Sequence, residues 1–228
     1  MSKVRLRSER FSHSEELANT ISHACGIAFG IVALVLMLVS STNNNGTGFH
    51  YVSSAIFGSG LILVFLSSTL NHILTADTKA KDFFHNFDQI AIYILIAGTY
   101  TPISLIAING PWGWSMFGIE WGVATLGIVA KLFLPNKFEK GVNIYVIISY
   151  LFLGWLILFY LIPCYKAIPA MGMGFIFIGG ALYTTGVIFF KLENKLKFSH
   201  LIWHVFVLGG AVCHWIAIWR YVIPLEIN

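Results

Sequence analysis

Seven long apolar stretches, separated by short polar segments, account for most of this 228-residue chain. The stretches cover residues 22–40, 50–74, 87–108, 113–134, 142–163, 168–190 and 200–223. A helix that crosses the hydrocarbon of a bilayer needs about 20 apolar residues, so each stretch is long enough for one span. Turn-forming residues such as Asn109-Gly110-Pro111 lie between the stretches. The pattern predicts an all-α membrane protein, a seven-transmembrane helix bundle.

The two ends of the chain lack this apolar character. We expect residues 1–21 to form an N-terminal segment, residues 22–223 the helical domain and residues 224–228 a short tail. Within the N-terminal segment, residues 8–20 predict a short amphipathic helix on the membrane surface. The first apolar stretch ends without the small-residue cleavage site of a signal peptide, so we expect it to remain as a helix.

Composition supports the membrane interpretation. Hydrophobic residues make up 57% of the chain and charged residues only 11%, whereas soluble domains carry about 25% charged residues. The formal net charge of +4 is spread over separate short loops and forms no continuous basic patch, so we expect no nucleic-acid partner.

The distribution of Lys and Arg predicts the orientation of the bundle. If the loops alternate between the two sides of the membrane, one side receives twelve basic residues: Lys3, Arg5, Arg7, Arg10, Lys79, Lys81, Lys131, Lys137, Lys140, Lys191, Lys195 and Lys197. The other side receives two, Lys166 and Arg220. Basic loops stay in the cytoplasm. We therefore expect a multi-pass protein of the cell membrane with a cytoplasmic N-terminus and an external C-terminus.

Five polar side chains inside the spans fall in one layer near the cytoplasmic side. The second span ends there with Ser68 and His72, the third begins there with Asp88, and the seventh begins there with His200 and His204. Polar and ionisable residues within a span are costly and mark functional sites. Convergence of three helices on one layer makes this group the candidate site.

The spacing of the histidines suits a metal ion. His200 and His204 are four residues apart and leave the same face of a helix, and His72 adds a third nitrogen from another helix. Three imidazoles suit zinc and leave a fourth position for water, whose pKa zinc lowers to about 7. Asp88 is then available to take a proton, and Ser68 to hydrogen-bond the water or a developing oxyanion.

Two other interpretations of these histidines stay open at this point. Histidines near a membrane surface often contact lipid headgroups and bind no metal. His72 and His204 could also face each other as haem ligands, although two histidines on one helix face cannot be opposite axial ligands.

Three motifs, two of which contain these residues, resemble those of the hemolysin III family, the bacterial branch of the progestin and adipoQ receptor (adiponectin receptor-like) group. In order, they are Glu16-x2-Asn19-x3-His23, then Ser68-x3-His72 followed by Asp88, and finally His200-x3-His204. The resemblance covers residues 14–220. It implies seven helices, a cytoplasmic N-terminus, zinc on the three histidines of the second and third motifs, and Asp88 at the metal-bound water.

The other polar residues, in the spans or just before the first, lie outside this set of five. For Glu16, Asn19 and His23, a direct role in the site and a helix-capping, interhelical hydrogen-bond role are both open. Glu120 lies in the outer half of the fourth span, away from the histidine layer, and we expect it to be a hydrogen-bonded structural residue. We expect His214, in the middle of the seventh span, to form an interhelical hydrogen bond.

Three functions are compatible with this site. The first is a zinc-dependent hydrolase of lipid amides, because the resemblance extends to a ceramidase-like group in which a membrane lipid is cleaved and a fatty acid leaves. The second is a non-enzymatic sensor or regulator of membrane state, in which zinc holds helices together. The third is the cytolytic activity of the family name, although the sequence has neither a cleavable export signal nor an amphipathic strand pattern. The lipid and the oligomeric state, a homo-oligomer included, stay open.

Overall fold

The computed structural model describes residues 11–74, 78–133 and 144–227. Within these residues the chain forms seven helices long and apolar enough to cross a membrane, and no strands. The helices are α1 (His13–Asn43), α2 (Gly48–Ile73), α3 (Lys79–Pro102), α4 (Gly110–Phe133), α5 (Ile144–Gly154), α6 (Leu161–Ala167), α7 (Ala170–Lys191) and α8 (Ser199–Tyr221). A π-helix, Ile103–Ile108, prolongs α3, while α5 and α6 belong to one span. The predicted seven-helix bundle is confirmed.

The first helix begins well before the first apolar stretch. Ser12 caps it: the Ser12 hydroxyl accepts a hydrogen bond from the Glu15 backbone N–H at 3.3 Å, and the Ser12 N–H donates to the Glu15 carboxylate at 3.0 Å. The prediction of a separate surface helix over 8–20 was wrong for its described part, since residues 13–20 continue directly into the span. No Gly or Pro interrupts the chain there, and Asn19 and His23 are buried inside the bundle.

Glycines allow α1 to lie close against α2. A Cβ at Gly26 would collide with the ring of Phe65, and a Cβ at Gly30 would lie 3.1 Å from the side chain of Ile62. Small residues at such positions let two membrane helices approach each other. Through this contact the polar face of the first turns of α1 comes beside the end of α2.

The third span lies at the centre of the bundle. Of its most apolar window 78% is buried, against 22% for α4 and for α7. Pro102 ends the regular α-helix, because proline lacks the N–H that a helix needs. The chain continues as the π-helix, in which the Asn109 N–H donates to the Ser104 carbonyl at 2.9 Å. The positive φ of Gly110 then turns the chain into α4.

The continuous apolar stretch 142–163 predicted one regular helix for the fifth span. The structure instead shows an interrupted span. A 3₁₀-helix, Leu156–Tyr160, separates α5 from α6. The hydroxyl of Tyr100 donates a hydrogen bond to the Gly154 carbonyl at 2.8 Å and accepts one from the Ile157 N–H at 3.1 Å. This side chain from α3 therefore satisfies the backbone groups that the break leaves open. Residues 142 and 143 lie outside the described residues.

Candidate metal centre

Three histidines converge at the end of the bundle where α2 ends and α8 begins. One ring nitrogen from each of His72, His200 and His204 lies within 4.8 Å of the other two. The ring centroids are 5.0 Å apart for His72 and each of the other two, and 4.7 Å apart for His200 and His204. The structure thus brings together the three histidines that the spacing selected. No carboxylate or thiol joins this group within the described residues.

Each of the three rings is held from outside the cluster through its Nδ1 atom. Nδ1 of His72 lies 2.6 Å from the Glu16 carboxylate, Nδ1 of His200 lies 2.9 Å from the Glu193 carboxylate, and Nδ1 of His204 lies 3.0 Å from the Ser22 hydroxyl. A proton on Nδ1 shared with such a partner leaves Nε2 with a free lone pair. Metal-ligating histidines are characteristically oriented by partners of this kind.

The surroundings of the His72 Nε2 atom test whether a metal ion fits this cluster. This atom is buried and has no hydrogen-bond partner among the described residues. Buried polar atoms in proteins are nearly always paired, so a buried atom without a protein partner is suited to bind a water or an ion. Because the Nδ1 atom of His72 bonds Glu16, its Nε2 atom is left to donate an electron pair, beside nitrogens of His200 and His204. The donor set therefore fits zinc, which takes neutral imidazole nitrogens in tetrahedral sites.

Asp88 lies beside the cluster and outside the set of three nitrogens. Its carboxylate accepts a hydrogen bond from the Asn71 side chain at 3.4 Å. The hydroxyls of Ser67 and Ser68 also face it, and His200 is within electrostatic range. Ser68 and Asp88 therefore lie together beside the cluster of His72, His200 and His204.

The first motif divides into residues with two different surroundings. Glu16 contacts His72 and lies 3.7 Å from the ammonium of Lys81, so it belongs to the site. Asn19 and His23 are buried, and none of their four side-chain polar atoms has a partner among the described residues. The His23 ring stacks on His204 at 3.6 Å. Interhelical hydrogen bonds, one of the two roles left open for Asn19 and His23, are therefore not made by these side chains among the described residues.

Glu193, Ser22 and Lys81 are site residues that the sequence did not single out. Glu193 follows α7 in the turn that leads into α8, and only the path of this turn brings it back to His200. Ser22 lies on the extended first helix, one position before His23. Lys81 also donates to the Asn71 carbonyl. The position of Glu193, seven residues before His200, is a weak sequence signal for this contact, because the contact depends on the path of the turn between them.

The two polar residues outside this layer differ in outcome. His214 makes the predicted interhelical hydrogen bond, between its Nε2 and the Ile176 carbonyl at 3.0 Å. The prediction that Glu120 is hydrogen-bonded was wrong: its side chain is fully buried, and neither carboxyl oxygen has a partner among the described residues.

The contacts through Nδ1 lead to a prediction about Glu193. Glu193→Ala should weaken zinc binding about 10- to 100-fold, the usual effect of removing a partner that orients a ligating histidine. Glu193→Gln keeps an acceptor oxygen and should recover part of the loss. Competition with a metal-indicator dye measures the affinity, and Glu226→Ala, at an exposed position, serves as the control. Wild-type affinity in Glu193→Ala would show that the contact does not orient His200.

Comparisons with known proteins agree with the three motifs. The sequence profile described as "Haemolysin-III related" matches residues 11–215. The chain is 39% identical over 210 residues to "Hemolysin-3" of Bacillus cereus, which covers 92% of this chain and 93% of that protein. It is 38% identical over 218 residues to "Hemolysin-3 homolog" of Bacillus subtilis (strain 168), with 94% and 98% covered.

A more distant relative comes from an animal. The chain is 30% identical over 215 residues to the human "Monocyte to macrophage differentiation factor", with 91% of this chain and 84% of that protein covered. The family match includes all three motifs, from Glu16 to His204, and the seven spans account for nearly the whole described chain. The chain therefore belongs to the haemolysin-III related family of multi-pass membrane proteins.

Proposed function

We propose that this protein is a zinc-dependent hydrolase of lipid amides. The observation that carries the proposal is the cluster of His72, His200 and His204, in which a neighbouring side chain contacts each Nδ1. Among the described residues, the buried Nε2 of His72 has no hydrogen-bond partner. Three histidine ligands with an open fourth position are typical of catalytic zinc sites. A site that only holds helices together needs no open position.

The chain's own residues supply binding, orientation and proton handling. Zinc at such a site supplies a Lewis acid for a carbonyl and lowers the pKa of water to about 7. Asp88 accepts a hydrogen bond from Asn71 and lies within electrostatic range of His200. Unlike Glu16 and Glu193, it does not bond an Nδ1 atom of the cluster, so we assign it the proton of the attacking water. Asn19 and His23 carry side-chain polar atoms that have no partner among the described residues, and the His23 ring stacks on His204. These atoms suit the polar group of a substrate.

A lipid substrate fits the surroundings of the histidines. The ring of Phe11 lies 5.0 Å from that of His200, Phe190 lies 5.8 Å from His200, and Phe65 lies 5.2 Å from His23. All of these groups belong to helices that span the membrane or directly precede one. An amide in a membrane lipid reaches such a site from within the bilayer. From the distribution of basic residues we place the site at the cytoplasmic leaflet.

A regulatory role is the second candidate, and one observation favours it. α1 packs against both α2 and α8, whereas the histidine cluster joins α2 directly to α8. A metal at this point would fix the relative position of the two helices, and its loss or binding would change the bundle. This role needs no substrate, and it uses the same three ligands.

Release of fatty acid by the purified protein tests the enzymatic proposal. We expect protein reconstituted in lipid nanodiscs to release fatty acid from a ceramide in a panel of amide and ester lipids, as measured by mass spectrometry. Phenanthroline should abolish the release, and added zinc should restore it. A zinc-loaded, stably folded protein that is inert toward every lipid in the panel would contradict the hydrolase and favour the regulator.

A further inference from the structure

The carboxyl group of Glu120 lies deep in the bundle, far from the histidine cluster. Glu120 is ten residues after the first residue of α4, which places it about 15 Å along that helix. This is half of the hydrocarbon thickness, about 30 Å. Glu120 therefore lies close to the middle of the membrane.

The packing of α4 directs Glu120 into the bundle. Its buried face comprises Gly113, Met116, Glu120, Ala124 and Lys131. At one end of this face Gly113 closely approaches the Ser104 carbonyl in the π-helix, and at the other Gly127 closely approaches the ring of Tyr93 in α3. Glu120 lies midway between the two contacts, with 0% of its surface exposed.

The hydroxyl groups of Tyr100 and Thr101, in α3, are engaged with partners other than Glu120. Tyr100 is within electrostatic range of Glu120, but its hydroxyl bonds the Gly154 carbonyl and the Ile157 N–H. The hydroxyl of Thr101 donates to the Ala97 carbonyl at 2.9 Å and accepts from the Trp121 indole at 3.0 Å. Within the described residues, no Lys, Arg or His forms an ion pair with Glu120.

We propose that Glu120 is a proton-binding site in the middle of the membrane, occupied by a proton so that the side chain is a neutral carboxylic acid. An isolated ionised carboxylate is far more costly in an apolar interior than the neutral acid, and such groups neutralise. The ligand is a proton and not a metal cation, because Ca²⁺ takes six or more oxygen ligands and Mg²⁺ about six. Glu120 supplies the only charged oxygens on the buried face of α4.

This site is separate from the metal centre. The contacts of Gly113 and Gly127 set Glu120 level with residues 98 and 99 of α3, about 15 Å from Asp88 by the helical rise. None of the three histidines or their partners contacts it within the described residues. The state of Glu120 can therefore be tested whether or not the protein is a hydrolase.

Dicyclohexylcarbodiimide, an apolar reagent that enters membranes, tests the proposal. The acid's proton moves to one nitrogen of the reagent, and the carboxyl oxygen bonds to the central carbon. The acyl group then migrates from that oxygen to the other nitrogen. Nothing leaves, so the peptide gains the mass of the whole reagent. We expect mass spectrometry of reconstituted protein to find this adduct on Glu120 in the wild type and no adduct at that position in Glu120→Gln. A water-soluble carbodiimide should modify the exposed Glu226 and leave Glu120 untouched.

Infrared spectra and stability provide a second, independent measurement. The carbonyl band of a protonated carboxylic acid should be present in the wild type and lose intensity in Glu120→Gln. Because glutamine has the shape and charge of the neutral acid, Glu120→Gln should keep the wild-type melting temperature, whereas Glu120→Ala should lower it by leaving a cavity. Folded protein whose Glu120 is not modified, or an unchanged infrared band in Glu120→Gln, would overturn the proposal.

Discussion

Replacing His200 and His204 together by alanine should remove essentially all zinc from the purified protein, while the wild type carries about one zinc per chain, the content of a site with one three-histidine set. The variant keeps only His72 of the cluster, and one imidazole cannot hold the ion. Alanine is the best helix former, so α8 should still form and insert. Metal analysis of protein purified from membranes, without chelator, measures the content.

His214→Ala is the matched control for this double variant. His214 lies on the same helix and is half-buried, but its ring bonds the Ile176 carbonyl and lies outside the cluster. The control should keep its zinc. Single variants at His200 or His204 should retain part of it, because two ligands remain. If the double variant inserts into the membrane and keeps full zinc occupancy, the ion binds elsewhere and the ligand assignment is wrong.

The histidine layer was predictable because it depends on few assumptions. Once seven spans are placed, alternate helix ends must lie on the same side, so the end of α2 and the starts of α3 and α8 share a layer. The four-residue spacing of His200 and His204 then fixes a common helix face. Neither step needs knowledge of loops. This explains why His72, His200 and His204 are together in the structure.

The partners that hold the histidines depend on features that a pattern of apolar residues does not encode. Glu193 reaches His200 only through the turn after α7, and Glu16 reaches His72 because α1 begins at His13, well before the first apolar stretch. The interrupted fifth span depends on one tertiary contact, the hydroxyl of Tyr100. Such features arise from the packing of distant segments.

Asp88→Asn is expected to keep zinc and to lower lipid amide hydrolysis about 100- to 10,000-fold, the typical contribution of a general base. This loss corresponds to about 2.7–5.4 kcal/mol of activation free energy, at 1.36 kcal/mol for each tenfold. Asparagine has the same shape and can still accept the hydrogen bond from Asn71, but it cannot take a proton from water. Single-turnover rates on the lipid that the wild type cleaves measure the effect.

Asp82→Asn makes the same change at an exposed position in the first turn of α3, and it should hydrolyse at the wild-type rate. Hydrolysis by Asp88→Asn at that rate would end the proposed role of Asp88 as base. If zinc only joins α2 to α8, Asp88→Asn should instead change the melting temperature, and the wild type should show no metal-dependent turnover to lose. Loss of a general base lowers the rate of hydrolysis, whereas a change at a metal that only joins α2 to α8 alters the melting temperature. Measuring both quantities on the same zinc-loaded variant therefore separates the two functions that the three histidines permit.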